Sequence, residues 1–232
     1  MRVGIFDSGV GGLTVLKSLA DRYKNNEYIY LGDTINIPYG NKSVDEIVYL
    51  ANKMIDFLLK ENVDIIIIAC GTISSLVKKL KKVDKKVIDI ISPTISYINK
   101  SNYNNIGVIA TKSTIRSNAF NKINKNIKCV ECPMLATLIE NNNSDIDKYL
   151  SIYLNKLNNI DALILGCTHY KIISDKISKK LNVKLIDMSD FIKIGEGEKS
   201  SIKLYFTKID NNVLNNVNKI LKTNPDIKFV EL

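Results

Sequence analysis

Two cysteines stand in matching settings. Cys70 closes the run Asp64-Ile65-Ile66-Ile67-Ile68-Ala69, and Cys167 closes Asp161-Ala162-Leu163-Ile164-Leu165-Gly166; in each, an acid is followed by an apolar stretch and then a thiol six residues on. A thiol at a strand end that opens a helix feels the positive end of the helix dipole, so its pKa is expected to fall from about 8.5 and thiolate becomes accessible at neutral pH. One such thiol suggests a nucleophile. Two, on halves that face each other across a cleft, suggest something else. One thiolate removes a proton from one face of a carbon while the other thiol returns a proton to the opposite face. That is inversion of a stereocentre by two acid/bases, which exchange roles when the reaction runs backwards.

The neighbours suit that chemistry. Asp7 is placed to orient a thiol or to bind an ammonium group. Thr72, Thr111 and Thr168 offer hydroxyls to a carboxylate, and the backbone amides after Ser8, Cys70 and Cys167 offer further anion contacts. His169 is the one histidine of the chain and lies two residues after Cys167. A thiol next to an imidazole is an activated thiol.

These residues need elements to hold them. Val3–Phe6 reads as a strand, Gly9-Val10-Gly11-Gly12 as a tight turn, and Leu13, Val15, Leu16 and Leu19 as the apolar face of a helix. Tyr28–Leu31 is a second strand, Pro38-Tyr39-Gly40-Asn41 a turn, and Ser43 caps a helix carrying Ile47, Leu50, Met54, Phe57 and Leu58. Four consecutive isoleucines at 65–68 mark a strand buried on both faces. A helix through Leu76, Val77 and Leu80 follows Cys70, and Val87–Ile91 is the next strand. The pattern then restarts: strand at Ile106–Ala110, helix from Ser117, strand at Ile127–Val130, helices at Leu135–Glu140 and Ile146–Leu157. Strand Asp161–Gly166, a helix through Ile172, Ile173 and Ile177, and strand Val183–Ile186 complete it. The tail adds strand, helix, strand at Leu204–Phe206, Val213–Leu221 and Ile227–Val230. Alternating strands and helices predict α/β architecture with parallel sheets. Gly4 and Gly107 stand 66 and 60 residues before the two cysteines, so the chain reads as two similar halves, each presenting one thiol at the carboxyl end of a buried strand. Ligands bind outside such ends.

Composition bounds the rest. The chain has 232 residues, is 45% hydrophobic and 25% charged, and holds only 11 Gly and 4 Pro. That is globular composition and excludes disordered and collagen-like classes. No apolar run approaches the roughly 20 residues that cross a bilayer, and the start breaks into Asp7 too early for a signal peptide. Four cysteines in a chain of this length are not a disulfide framework. We expect a soluble cytoplasmic protein with free thiols. The net charge of +9 raises nonspecific phosphate affinity, but only Arg2, Arg22 and Arg116 are arginine, the lysines are scattered, and no aromatic residues interleave them. A specific nucleic-acid footprint is not expected. Cys129 and Cys132 form a C-x-x-C pair without the strand-to-helix setting of a redox site; as half a zinc site they would need Cys167 and His169, and packing on a strand face is the expected role. The turn at 9–12 puts Thr14 where a dinucleotide loop has its third glycine, so no nucleotide is expected.

Ile5-Phe6-Asp7-Ser8-Gly9-Val10-Gly11-Gly12-Leu13-Thr14-Val15, Leu31-Gly32-Asp33-Thr34, Pro38-Tyr39-Gly40, Ala69-Cys70-Gly71-Thr72 and Leu165-Gly166-Cys167-Thr168-His169-Tyr170 resemble the signatures of the glutamate racemase family, and so do Gly107-Val108-Ile109-Ala110-Thr111 and Cys132-Pro133 with Glu140. The resemblance runs from Met1 into the tail. It implies cofactor-independent interconversion of L- and D-glutamate, without metal or pyridoxal phosphate, supplying D-glutamate to peptidoglycan. It implies Cys70 and Cys167 as the proton carriers, with Asp7, His169 and Glu140 assisting. Asp7, Ser8, Tyr39, Gly40, Gly71, Thr72, Thr111, Thr168 and His169 are then expected at the substrate. The family fold has two α/β domains in pseudo-twofold relation with the site in the cleft between them; we divide the chain into residues 1–92 plus 205–232 and residues 93–204. A homodimer is implied as well. One departure matters. The family has Asn where this chain has Gly71, so a side-chain amide worth about 1–3 kcal/mol, or roughly tenfold to a hundredfold in binding, is missing. That leaves a homologue that binds an amino acid or a partner protein without turnover, or an aspartate racemase, as alternatives. Lys171 also replaces the family's Pro.

Overall fold

Short apolar runs that must be buried on both sides set the architecture. The computed structural model describes residues 1–223 and 225–232. In the first half they form β1 (Arg2–Asp7), α1 (Leu13–Arg22), β2 (Glu27–Gly32), α2 (Val44–Lys60), β3 (Ile65–Ile68), α3 (Gly71–Ser74), β4 (Lys86–Asp89) and α4 (Ile91–Lys100). The second half contributes β5 (Asn105–Ala110), α5 (Lys112–Arg116), β6 (Asn126–Glu131), α6 (Leu135–Glu140), α7 (Ile146–Leu154), β7 (Ala162–Leu165), α8 (Ser174–Lys180) and β8 (Lys184–Asp187). The chain then returns through β9 (Ser201–Phe206), α9 (Asn211–Leu221) and β10 (Asp226–Phe229). Every residue of β3 and of β7 is buried, as strands covered on both faces require.

The first sheet has six strands in the order β10-β9-β2-β1-β3-β4 and the second has four in the order β6-β5-β7-β8. All the pairs are parallel. The run β2-β1-β3-β4 and the run β6-β5-β7-β8 have the same order, and the thiols follow the same strand in each: Cys70 after β3, Cys167 after β7. Register agrees too, with Phe6 beside Ile68 and Ile109 beside Leu165. Two parallel α/β halves of like topology are therefore present, as the strand pattern predicts.

The halves do not have separate cores. One apolar cluster runs from Val3, Ile5 and Leu16 through Ile91 and Ile95 to Val108 and Ile164. Two further clusters fill the outer layers, one under α2 and one under α6 and α7. The expected division after residue 92 falls inside α4, and the one before residue 205 falls inside β9, which enters the first sheet at Ser201 opposite Glu27. Arg22 secures the crossing, donating to the carbonyls of Ser189, Asp190 and Ile192 at 2.7–3.2 Å.

Local chemistry explains where helices begin and end. Ser43 forms a reciprocal capping box with Glu46, its hydroxyl accepting from the Glu46 amide, which fixes the start of α2. Ser117 does not begin a helix. Thr111 caps α5 through its hydroxyl and Asn118, at φ 58°, ends the segment in the left-handed region. The helix expected after Cys70 lasts one turn, because the Ser74 hydroxyl donates to the Ile68 carbonyl and that of Ser75 to Thr72; such bonds compete with helix continuation. A separate 3₁₀ turn follows at Val77–Lys79, so of Leu76, Val77 and Leu80 only Val77 lies in a helical turn and the other two flank it. The segment after Cys167 likewise opens as 3₁₀ helix, Thr168–Ile173, before α8. Among the described residues no helix is long and apolar enough to cross a membrane.

Candidate active site

Both thiols end on one small cavity. Ser8 and Cys70 reach it from the loops after β1 and β3, Thr111 from the end of β5, and Cys167, Thr168 and His169 from the end of β7. Tyr39 and Gly40 cover it, with Thr72 and Glu140 on its walls. Its volume is about 50 Å³, room for on the order of three or four waters. A larger groove of about 860 Å³ opens beside Gly40 and Lys112, lined by Lys78, Lys79, Arg116 and Lys122 among others. The thiols face the small cavity, not the groove.

Each thiol has its own partner. Ser8 Oγ lies 3.4 Å from Cys70 Sγ. Cys167 Sγ lies 3.7 Å from His169 Nδ1, and His169 Nε2 is 3.1 Å from Glu140 Oε2. All of these except Ser8 are buried. Asp7 is 1% exposed; one oxygen accepts from the Gly9 amide at 2.8 Å and the other from the Thr168 hydroxyl of the opposite half at 3.4 Å. Thr72 and Thr111 also meet across the cleft, hydroxyl to hydroxyl at 3.0 Å.

Burial decides the electrostatics. It pushes the Cys70 thiol up to about 12, aided by the negative charge of Asp7 and opposed by the Ser8 hydroxyl. The expected fall in its pKa is therefore overturned: a one-turn helix supplies little dipole, and among the described residues no cation stands beside the sulfur. Burial likewise raises the Asp7 carboxyl, against the pull of His169, which makes Asp7 a stronger base. For His169, burial disfavours the charged ring, but its hydrogen bonds to Cys167 and Glu140 and their charges outweigh it, and the imidazole is held well above 6.5. The second thiol thus has a cationic ring beside it and the first does not.

Most of the residues expected at the substrate meet here, but two do not line the cavity. Asp7 is buried outside its lining. Gly71 is turned away: a Cβ there would stand 2.4 Å from the Gly166 carbonyl oxygen. The turn at 9–12 also has a close-approach reason for its glycine, since a Cβ on Gly11 would meet His169 Nδ1 at 2.4 Å and Thr168 Oγ1 at 2.5 Å. Cys132 is buried as expected of a packing cysteine, whereas Cys129 is exposed; the two fall on different sides of the strand end, and among the described residues no group of three or more His, Cys, Asp or Glu is placed to hold a metal ion.

The residue that sequence reasoning left without a role is Asp33. It is fully buried and accepts from the Tyr39 hydroxyl at 2.5 Å, the Thr207 hydroxyl at 2.7 Å and the Asn36 amide at 3.0 Å. Thr34 and Thr207 add bonds to the same junction. A carboxylate among neutral donors thus pins the loop that presents Tyr39 and Gly40. The signal was present in Leu31-Gly32-Asp33-Thr34, but its partner Thr207 lies 174 residues away.

Comparison with known proteins agrees with this geometry. Residues 11–191 match the model of the family described as Asp/Glu/Hydantoin racemase. Over its full length the chain is 35% identical to a glutamate racemase of Hydrogenobaculum sp. (strain Y04AAS1), covering 97% of that protein. Among solved structures, the glutamate racemase of Francisella tularensis subsp. tularensis SCHU S4 in complex with D-glutamate superposes with a TM-score of 0.86 at 34% identity, over 99% of this chain and 97% of that one. Glutamate racemase isoform RacE1 of Bacillus anthracis superposes at 0.91 and 26% identity, over 100% and 97%. The paired thiols, the matched halves and these likenesses lead to one assignment: the chain belongs to the Asp/Glu/hydantoin racemase family and, within it, to the glutamate racemases.

Proposed function

We propose that this protein interconverts L- and D-glutamate by two-thiol proton transfer, with no cofactor. One observation carries the reading: Cys70 from the first half and Cys167 from the second border a single cavity. A thiolate on one side removes the Cα proton, and the thiol opposite protonates the other face. The net change is configuration only, and no electrons are transferred. On the Cys167 side, the His169 imidazolium, held by Glu140, stands 3.7 Å from the sulfur and holds it toward the cavity. On the Cys70 side the substrate's own ammonium group supplies the missing positive charge, and Asp7 is the base that exchanges the proton. Thr72, Thr111 and Thr168 hydroxyls, with the amides near Ser8, receive the carboxylates. The cavity is smaller than glutamate requires, so the halves part to admit it. We place the protein in the cytoplasm, feeding D-glutamate to peptidoglycan, and we carry forward a homodimer, testable by sedimentation.

The test is incubation with L-glutamate in heavy water. Loss of the Cα proton, read by NMR, should accompany growth of D-glutamate. Replacing Cys70 or Cys167 singly with Ser should abolish racemisation. No exchange at high protein concentration would favour binding without turnover, and faster exchange with aspartate would move the substrate to the shorter acid.

A further inference from the structure

A helix leaves its last four carbonyls without partners inside the helix. At α6, three are closed locally. The amides of Asn141, Asn142 and Asn143 donate to Thr137, Ile139 and Leu138 at 3.1, 3.1 and 2.9 Å, and Asn142 takes the left-handed conformation at φ 49°. This is the helix stop that asparagine, after glycine, adopts most readily. The fourth carbonyl is that of Glu140. Its partner comes from the other end of the chain: the side-chain amide of Asn216 on α9 donates to it at 3.1 Å and donates its other proton to the Asn212 carbonyl at 2.9 Å.

Asn216 is 6% exposed, in a buried helix face otherwise made of Val213, Val217, Ile220 and Leu221. An amide in such a face is uncommon unless bonded. The contact also joins the two halves. α9 follows β9 of the first sheet, whereas Glu140 ends a helix of the second. Glu140 is the residue whose carboxylate holds His169, and His169 holds Cys167.

We propose that Asn216 is a positioning residue for the Cys167 arm. By capping the Glu140 carbonyl from the opposite half, it keeps the last turn of α6 wound and the carboxylate directed at His169. The bond spans the two halves, so it ties the Cys167 arm to the first sheet. The inference rests on the two-thiol reading above.

The test uses the full chain with Asn216→Leu, which removes the amide at similar volume, and Asn216→Ser, which keeps a short polar group should the leucine variant fail to fold. Exposed Asn215→Ala on the same helix is the control. The enantiomers are equal in free energy, so kcat/KM must fall by one factor in both directions, roughly tenfold for one lost buried hydrogen bond. The isotope effect separates the arms. With Cα-deuterated glutamate, the primary effect on kcat/KM should grow for the one enantiomer that Cys167 deprotonates and shrink for the other. Active variants whose isotope effects stay at wild-type values in both directions would overturn the proposal. Absence of racemisation in the wild-type protein would instead remove the two-thiol reading beneath it.

Discussion

A buried thiol is not made reactive by its place at a strand end alone. Cys70 and Cys167 occupy equivalent positions, yet their surroundings differ: Cys70 has Ser8 and a nearby carboxylate, and Cys167 has an imidazole held by Glu140. Burial without a cation leaves Cys70 protonated, with its pKa pushed up to about 12. In the free protein at pH 8 its thiolate fraction should be roughly a thousandfold below that of an ordinary thiol. In a variant keeping only Cys70, alkylation by iodoacetamide should therefore be slow at pH 8 and rise with pH up to about 12; a rate matching a model thiol at pH 8 would contradict this. The Cys167–His169 pair was legible in the sequence because the two lie two residues apart in one motif; Ser8 as the partner of Cys70 was not, because the two are 62 residues apart. The direction of the Cys70 shift was not, because desolvation depends on everything that packs around a sulfur.

At the scale of elements, the loop from Asp33 to Asn41 shows how a site is held from a distance. Its anchor is a carboxylate receiving hydroxyls from Tyr39 and from Thr207 after β9. Asp33→Asn would aim an amide at groups that are themselves donors, leaving buried polar atoms unpaired at a cost of about 1–3 kcal/mol. Denaturant titration should register that loss, and KM for glutamate should rise more than kcat falls, since the loop covers the cavity rather than carrying a proton. An unchanged KM would show that Tyr39 and Gly40 hold their places without Asp33. Strand positions were readable from apolar runs, and the Ser43 cap from its place just before the apolar face of α2. The helices after Cys70 and Cys167 were misjudged in length because side-chain hydroxyls and 3₁₀ geometry redirect the chain there. Apolar spacing does not record such bonds.

At the scale of the molecule, the position after Cys70 determines how closely the halves approach. Gly71 brings no side chain to the cavity; instead it lets the Gly166 carbonyl come within 2.4 Å of where a Cβ would stand. Restoring the family's asparagine should therefore not restore a substrate contact. Gly71→Ala and Gly71→Asn should both wedge the halves apart, lowering stability by about 1–3 kcal/mol as overpacking does, and both should lower kcat/KM. A Gly71→Asn variant faster than the wild type would mean that the halves part at little cost and that the missing amide governs the rate.

The sequence by itself determined the parallel α/β architecture, the repeat of its two halves and the thiol at the end of each central strand, because apolar periodicity and motif spacing are local properties of the chain. Only the tertiary structure decided that Cys70 lies beside Asp7 without a cation, that Asp33 leans on Thr207, that Asn216 caps Glu140, and that Gly71 meets Gly166. Each of these depends on residues distant in the chain being brought within bonding distance and out of water. Charge and hydrogen-bond energies are set by that enclosure, which no local pattern encodes.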